Sequence, residues 1–309
     1  MIKTTISVLA LFAASPVFAE GNCDLVRFSD VGWTDITANS AAVSLMLNAM
    51  GYETTTDILS VPVTYASMAE GDIDVFLGNW MPTMEGDIAT YRDAGTVDTV
   101  RTNLEGAKYT LATNAAGVAA GITDFASIAQ AAEALDGKIY GIEAGNDGNR
   151  LISDMITGDA FGLKDFEIVE SSEQGMLAQV ERAEERGEAI VFLGWEPHPM
   201  NVQMKMHYLS GGDEVFGPNL GEAKVYTAVP PAYGARCPNV AAFLNNLQFT
   251  TDMENQVMGP ILEKVKPNLA ARAFLKRKPG VVEQWLQGVT TFDGRDGLAE
   301  VITYLKRPG

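Results

Sequence analysis

The 309-residue chain has few of the residues on which most enzymes depend. It contains two histidines and two cysteines, and neither pair is spaced as the ligands of a metal ion. A Ser-His-Asp arrangement, a nucleophile elbow, a phosphate-binding loop and a dinucleotide fingerprint are all absent from the sequence. We therefore expect no metal, no cofactor and no enzymatic activity.

Positive charge is also scarce. The chain has 22 lysines and arginines against 40 aspartates and glutamates, which gives a formal net charge of −18. A field of this sign repels nucleic acid and anionic lipid, and it favours the approach of small cations. The charge balance thus excludes a nucleic-acid partner.

Long apolar runs are missing too. No segment reaches the roughly 18–20 apolar residues that a membrane-spanning helix requires. Residues 1–19 instead have the pattern of a signal peptide, with a basic start, an apolar stretch over 6–14 and a small-residue cleavage site that ends at Ala19. The polar residues before Cys23 argue against a lipid-modified cysteine. The sequence predicts export to the periplasm with cleavage after about Ala19.

The two cysteines are Cys23 and Cys237. In an exported protein, an even number of cysteines predicts a disulfide, here between the start of the mature chain and a late segment. Two free buried thiols are the alternative.

Two parts of the chain repeat one pattern. The strands at 75–78 and 191–194 have the same sequence, Val-Phe-Leu-Gly, and each leads into a loop with tryptophan and proline. Upstream of each lies another strand and a helix: Leu25–Ser29 with Ala38–Met50, and Lys138–Ile142 with Gly148–Ile156. This alternation predicts an α/β fold with two lobes and mainly parallel sheets. In such sheets, ligands bind outside the carboxyl ends of the strands.

A second repeat marks the junction of the lobes. The segments Ala107–Thr110 and Ala223–Thr227 both read as strands, and together they bracket the middle of the chain. Two crossings of this kind make a hinge. We expect residues 20–111 and 212–309 to form lobe I and residues 112–211 to form lobe II, in a monomer.

Three of the four tryptophans stand in loops at strand ends. Trp33, Trp80 and Trp195 neighbour Gly, Pro, Asn or Asp, whereas Trp285 lies on an apolar helical face and is predicted to be core. Ring faces stabilise a cation that cannot donate hydrogen bonds, such as a quaternary ammonium group. The alternative is that each tryptophan only covers the edge of a lobe.

Two polar residues accompany these rings. A carboxylate at Asp35 would favour a ligand with a net positive charge over a zwitterion, and the amide of Asn146 would bind a hydroxyl group. Each is also placed to cap the helix that follows it. Glu143 and Glu196 are conceivable as an acid/base pair, but nothing in their spacing supports it, and His198 reads as a rigid loop residue.

Four segments resemble periplasmic choline-binding proteins of ABC importers, which belong to the quaternary-amine family of substrate-binding proteins. These segments are Asp30–Asp35, Leu77–Pro82, Ile142–Asn146 and Gly194–Met200. The similarity extends over the whole mature chain. It implies a type II periplasmic-binding-protein fold, whose two lobes close like a Venus flytrap, with a permease and an ATPase as partners.

The resemblance also implies roles for individual residues. Choline would lie in a box of Trp33, Trp80, Trp195 and Tyr109, with Asp35 near the cation and Asn146 near the hydroxyl. Glycine betaine, trimethylamine oxide and carnitine are alternative ligands. An exported choline-ester hydrolase is a remote alternative from another class.

Overall fold

The computed structural model describes residues 23–307. The predicted signal peptide lies outside the described residues. The strands are β1 (Leu25–Asp30), β2 (Glu53–Ile58), β3 (Val75–Met81), β4 (Asp98–Asn114), β5 (Lys138–Tyr140), β6 (Glu167–Val169), β7 (Val191–Glu196), β8 (Met206–Tyr208) and β9 (Glu222–Val229).

Helices connect the strands and form most of the C-terminal part. They are α1 (Thr34–Ala49), α2 (Val61–Glu70), α3 (Glu85–Asp93), α4 (Ala115–Ala119), α5 (Phe125–Ile128), α6 (Asp147–Thr157), α7 (Glu173–Arg186), α8 (Met200–Gln203), α9 (Asp213–Phe216), α10 (Pro218–Gly221), α11 (Tyr233–Arg236), α12 (Pro238–Asn246), α13 (Thr251–Leu262), α14 (Pro267–Arg277), α15 (Pro279–Trp285) and α16 (Gly297–Lys306). Two short 3-10 turns lie at Ala129–Ala131 and Ala160–Gly162. None of the helices within residues 23–307 has both the length and the apolar character needed to cross a membrane.

The strands form one continuous sheet in the order β2-β1-β3-β9-β4-β7-β5-β6, with β8 paired to β4. The outer sets are parallel: β1 pairs with β2 and β3, and β5 pairs with β6 and β7. Strands β9 and β4 lie between these sets and pair antiparallel with each other. The two segments predicted to cross between lobes are thus parts of two longer neighbouring strands.

Helix α1 packs against α13 and α14, so the C-terminal helices cover the lobe that contains β1 to β3. Its inward face buries Ile36, Val43 and Leu47 completely. Trp285 is also buried, and its indole N–H donates to the carbonyl of Gln248 at 3.3 Å. The prediction that Trp285 belongs to the core is confirmed.

The predicted boundaries need four corrections. Strands β3 and β7 extend to Met81 and Glu196, beyond the predicted ends at Gly78 and Gly194, because the chain there still pairs with β9 and β4. Trp80 and Trp195 therefore lie in strands and not in loops. Helix α1 begins at Thr34, earlier than the predicted Ala38, because the stretch from Thr34 onward is already buried against the sheet. Strand β5 ends at Tyr140 rather than Ile142, because the chain turns there into the loop that leads to α6.

Cys23 and Cys237 form the predicted disulfide, with Cα atoms 5.6 Å apart. The bond joins the segment before β1 to the start of α12. The alternative of two free thiols is excluded.

Removing this disulfide should lower stability without changing ligand affinity. A cross-link over so long a loop restricts the unfolded chain, and its loss should lower the free energy of unfolding by about 2 kcal/mol. Urea titrations of the oxidised protein and of a Cys23→Ser/Cys237→Ser variant check this. Equal midpoints would contradict it.

Candidate ligand-binding site

A small cavity lies where the two outer strand sets approach the central strands. Its lining residues are Trp33, Asp35, Trp80, Tyr109, Ile142 and Trp195. Its empty volume, which includes space open to solvent, is about 240 Å³. Five of the six predicted ligand-binding residues therefore line one small cavity. Asn146 is not among them, and Ile142 is an addition that the sequence analysis did not predict.

The four rings come from both parts of the sheet. Trp33 directly precedes α1, Trp80 lies near the carboxyl end of β3 and Trp195 near that of β7. Tyr109 is the direct cross-strand partner of Trp195. Its ring centroid is 6.1 Å from that of Trp80 and 6.4 Å from that of Trp195, with edge-on angles of 61° and 78°. Tyr109 thus sits between tryptophans from different lobes.

Asn146 holds Tyr109 in place. Its Oδ1 accepts a hydrogen bond from the Tyr109 hydroxyl at 2.9 Å and another from the Asn149 N–H at 3.0 Å. The second bond caps α6, so the alternative reading of Asn146 as a helix cap is correct. A Cβ at Gly148 would lie only 2.1 Å from the Tyr109 hydroxyl oxygen, so this glycine lets the ring fit against the helix.

Asp35 is buried in the first turn of α1. Trp33 occupies the N-cap position, so the alternative that Asp35 caps this helix is wrong. Among the described residues, no group forms a hydrogen bond with the Oδ1 atom of Asp35. Burial and the nearby charges of Glu173 and Asp30 raise the pKa of Asp35 to about 8. The side chain is a carboxyl group held in a site that disfavours its charged form.

The pKa values of other acids around the cleft are also raised. Burial raises the pKa of Glu143 to about 7 and that of Asp147 to about 6. Burial and the charge of Asp35 also raise the pKa of Glu254 on α13. None of the described residues that line the cavity is a lysine or an arginine. The site as a whole therefore favours a cation.

Several polar contacts cross the cleft between the lobes. They include Trp33 Nε1 to Glu143 Oε1 at 2.7 Å, Thr34 N to Glu173 Oε2 at 2.8 Å, and Arg150 Nη2 to Asp87 Oδ2 at 2.8 Å. Arg150 is the basic residue nearest to Asn146 in sequence, and its ion pair with Asp87 engages it outside the cavity lining. The structure is a closed form.

Two interpretations of loop residues are revised. His198 is buried, its Nε2 lies 3.3 Å from Glu173 Oε1, and its ring contacts Trp195, so it does more than stiffen a loop. Glu196 forms an ion pair with Lys108 at 3.2 Å, whereas Glu143 accepts from Trp33, so the two glutamates do not act as a pair. Within residues 23–307, no group of three or more His, Cys, Asp or Glu side chains is arranged to hold a metal ion.

Comparison with known proteins identifies the family to which the chain belongs. Residues 24–277 match the family described as the substrate-binding domain of ABC-type glycine betaine transport systems. An ABC-transporter choline-binding protein in complex with choline is 62% identical, with a TM-score of 0.91, and the alignment covers 92% of this chain and 98% of that one. An unliganded, semi-closed structure of an ABC-transporter choline-binding protein is also 62% identical, with a TM-score of 0.85 and coverage of 92% and 99%.

The higher TM-score with the choline complex agrees with the closed cleft. A lactococcal protein in a closed form with glycine betaine shares the fold, at 23% identity and a TM-score of 0.76 over 84% of this chain and 98% of that one. These likenesses confirm the predicted α/β, two-lobed binding-protein fold. The chain belongs to the substrate-binding proteins of ABC-type glycine betaine transport systems, whose members are periplasmic binding proteins of ABC transporters and not enzymes.

Proposed function

We propose that the protein captures choline in the periplasm and delivers it to the permease and ATPase of an ABC importer. One observation carries this proposal: Asp35, a buried acid with one oxygen that has no hydrogen-bond partner among the described residues, lines a cavity otherwise walled by aromatic and apolar side chains. A trimethylammonium group matches both features. Its methyl groups contact ring faces, and its charge compensates the carboxylate.

Net charge favours choline over glycine betaine. Choline carries a single positive charge, whereas the carboxylate of betaine would approach Asp35 and the other acids with like charge. Arg150, the basic residue nearest to Asn146 in sequence, is already paired with Asp87. The family description names glycine betaine, and the relative at 62% identity was solved with choline. Asp35, the acid in the cavity lining, favours choline.

Each site residue then has a role. Trp33, Trp80, Trp195 and Tyr109 surround the cation, and Asp35 is its counter-charge. Asn146 does not line the cavity, but its Oδ1 accepts from the hydroxyl of Tyr109, which does, and the proposal places the hydroxyl group of choline toward the Asn146 amide. About four desolvated ring contacts of roughly 2 kcal/mol each, together with the burial of the apolar methyl surface, offset the cost of association.

The lobes that close on the ligand would be residues 20–111 with 212–309 and residues 112–211. Strands β4 and β9 run between them and serve as the hinge. The mature, monomeric protein would begin after cleavage near Ala19.

A titration of the mature protein with choline, glycine betaine, trimethylamine oxide and carnitine tests the proposal. Tryptophan fluorescence should change strongly and saturably with choline, because three indole rings line the cavity. We expect a Kd for glycine betaine at least about tenfold higher, since a tenfold ratio needs only about 1.4 kcal/mol. Tighter binding of any of the other three ligands would contradict the proposal.

A further inference from the structure

Glu173 is a buried carboxylate at the start of α7 that the cavity lining does not include. Its Oε2 accepts from the Thr34 N–H at 2.8 Å, and its Oε1 accepts from the Thr34 hydroxyl. Thr34 lies across the cleft. A buried carboxylate is tolerated only when hydrogen-bond donors compensate its lost hydration. Two of the donors for Glu173 are therefore present only while the cleft is closed.

Thr34 is the first residue of α1, between Trp33 and Asp35. The first N–H groups of a helix have no partner within the helix, and a Ser, Thr, Asp or Asn at the N-cap commonly satisfies one of them. Here the N-cap is Trp33, and no N-cap side chain forms a capping bond to this helix. The carboxylate of Glu173 fills that place from the opposite lobe, and its charge suits the positive end of the helix dipole.

On its own lobe, Glu173 contacts His198. The Nδ1 atom of His198 accepts from the Met200 N–H at 3.0 Å, so Nε2 carries the hydrogen and donates to Glu173 Oε1 at 3.3 Å. The ring of His198 packs against Trp195, with centroids 5.1 Å apart at 67°. One carboxylate thus connects the backbone beside Trp33 and Asp35 with the ring beside Trp195.

We infer that Glu173 is a positioning residue for ligand capture: it caps α1 across the closed cleft and so fixes Trp33 and Asp35 against Trp195. The inference rests on the proposed function. Its consequence concerns retention of the ligand, because the cap forms on closing and must break before the lobes open. Losing it should speed the release of choline and leave its association rate nearly unchanged.

Glu173→Gln tests this. The amide keeps the size of the side chain but removes its charge and one acceptor, so the Kd for choline should rise about tenfold, as expected for a hydrogen bond to a charged group. Stopped-flow fluorescence should assign the rise to dissociation. The melting temperature of the ligand-free protein should stay within about one degree of wild type, which separates positioning from a folding defect. Glu181→Gln, an exposed change on the same helix, should match wild type in all three measurements.

Thr34→Val gives an independent check, because it removes the hydroxyl donor and keeps the backbone N–H. The double variant Glu173→Gln/Thr34→Val should weaken choline binding by less than the product of the two single effects, since both act on one contact. An unchanged Kd in both single variants would overturn the inference and leave the proposed function intact. Failure of the wild-type protein to bind choline would overturn both.

Discussion

Replacing Trp195 by alanine should weaken choline binding about a hundredfold while both lobes stay folded. A desolvated cation–π contact contributes about 2 kcal/mol or more, and truncating a buried ring also exposes apolar surface to water. At about 1.4 kcal/mol for each factor of ten, the two losses together reach two orders of magnitude. Calorimetric titration with choline measures this directly.

Trp285→Phe is the matched control, because Trp285 is equally buried but packs among the C-terminal helices away from the cavity. This variant should lower the melting temperature and leave the Kd for choline unchanged. A Trp195→Ala protein that binds choline like wild type would remove Trp195 from the site.

Replacing Asp35 by asparagine should weaken the binding of choline strongly and that of glycine betaine little. The change keeps the shape of the side chain and removes its charge, so choline should bind roughly tenfold to a hundredfold more weakly. Glycine betaine should lose little or bind more tightly, because its carboxylate no longer meets a like charge. The ratio of the Kd for glycine betaine to the Kd for choline should therefore fall, as measured by parallel calorimetric titrations.

Asp57→Asn is the control for net charge, since Asp57 is exposed on β2 of the same lobe. It should leave both Kd values unchanged. If the ratio of the Kd for glycine betaine to the Kd for choline is the same in Asp35→Asn as in the wild type, charge at this position does not select the ligand.

The pKa of Asp35 gives a related expectation for the empty protein. In the closed form, burial and the charge of Glu173 across the cleft raise the pKa of Asp35 from its ordinary value of 3.8 to about 8, and burial raises the pKa of Glu143 to about 7. We expect opening of the cleft to reverse part of both shifts, because it separates Asp35 from Glu173 and exposes Glu143 to water. Closure therefore takes up protons, and it becomes less favourable as pH rises from about 4 to about 8. Small-angle scattering of the ligand-free protein should show a smaller radius of gyration at pH 5 than at pH 8, with a smaller difference in Asp35→Asn.

Local sequence context was sufficient to predict three of the residues that line the cavity. Trp33, Trp80 and Trp195 stand beside turn residues at strand ends, and this position indicates a ligand role because core packing uses periodic apolar faces. The repeat of Val-Phe-Leu-Gly likewise revealed two similar lobes. Tyr109 was different: it lies within a strand and has no distinguishing local pattern, so only the family resemblance pointed to it.

The contacts across the cleft could not be predicted, because they depend on how two lobes meet. Glu173 is one acid among many in an acidic chain, and only the closed structure shows that it reaches Thr34. The early start of α1 has the same cause, since its N-cap is a tryptophan and the capping carboxylate is far away in sequence.

The most direct test of the whole account is a crystal structure of the mature protein with choline. We predict that the quaternary nitrogen lies between the rings of Trp33, Trp80, Trp195 and Tyr109, with the carboxylate of Asp35 turned toward it and the lobes closed. Choline bound with its trimethylammonium group outside these rings, or a cleft that stays empty at saturating choline, would contradict the account.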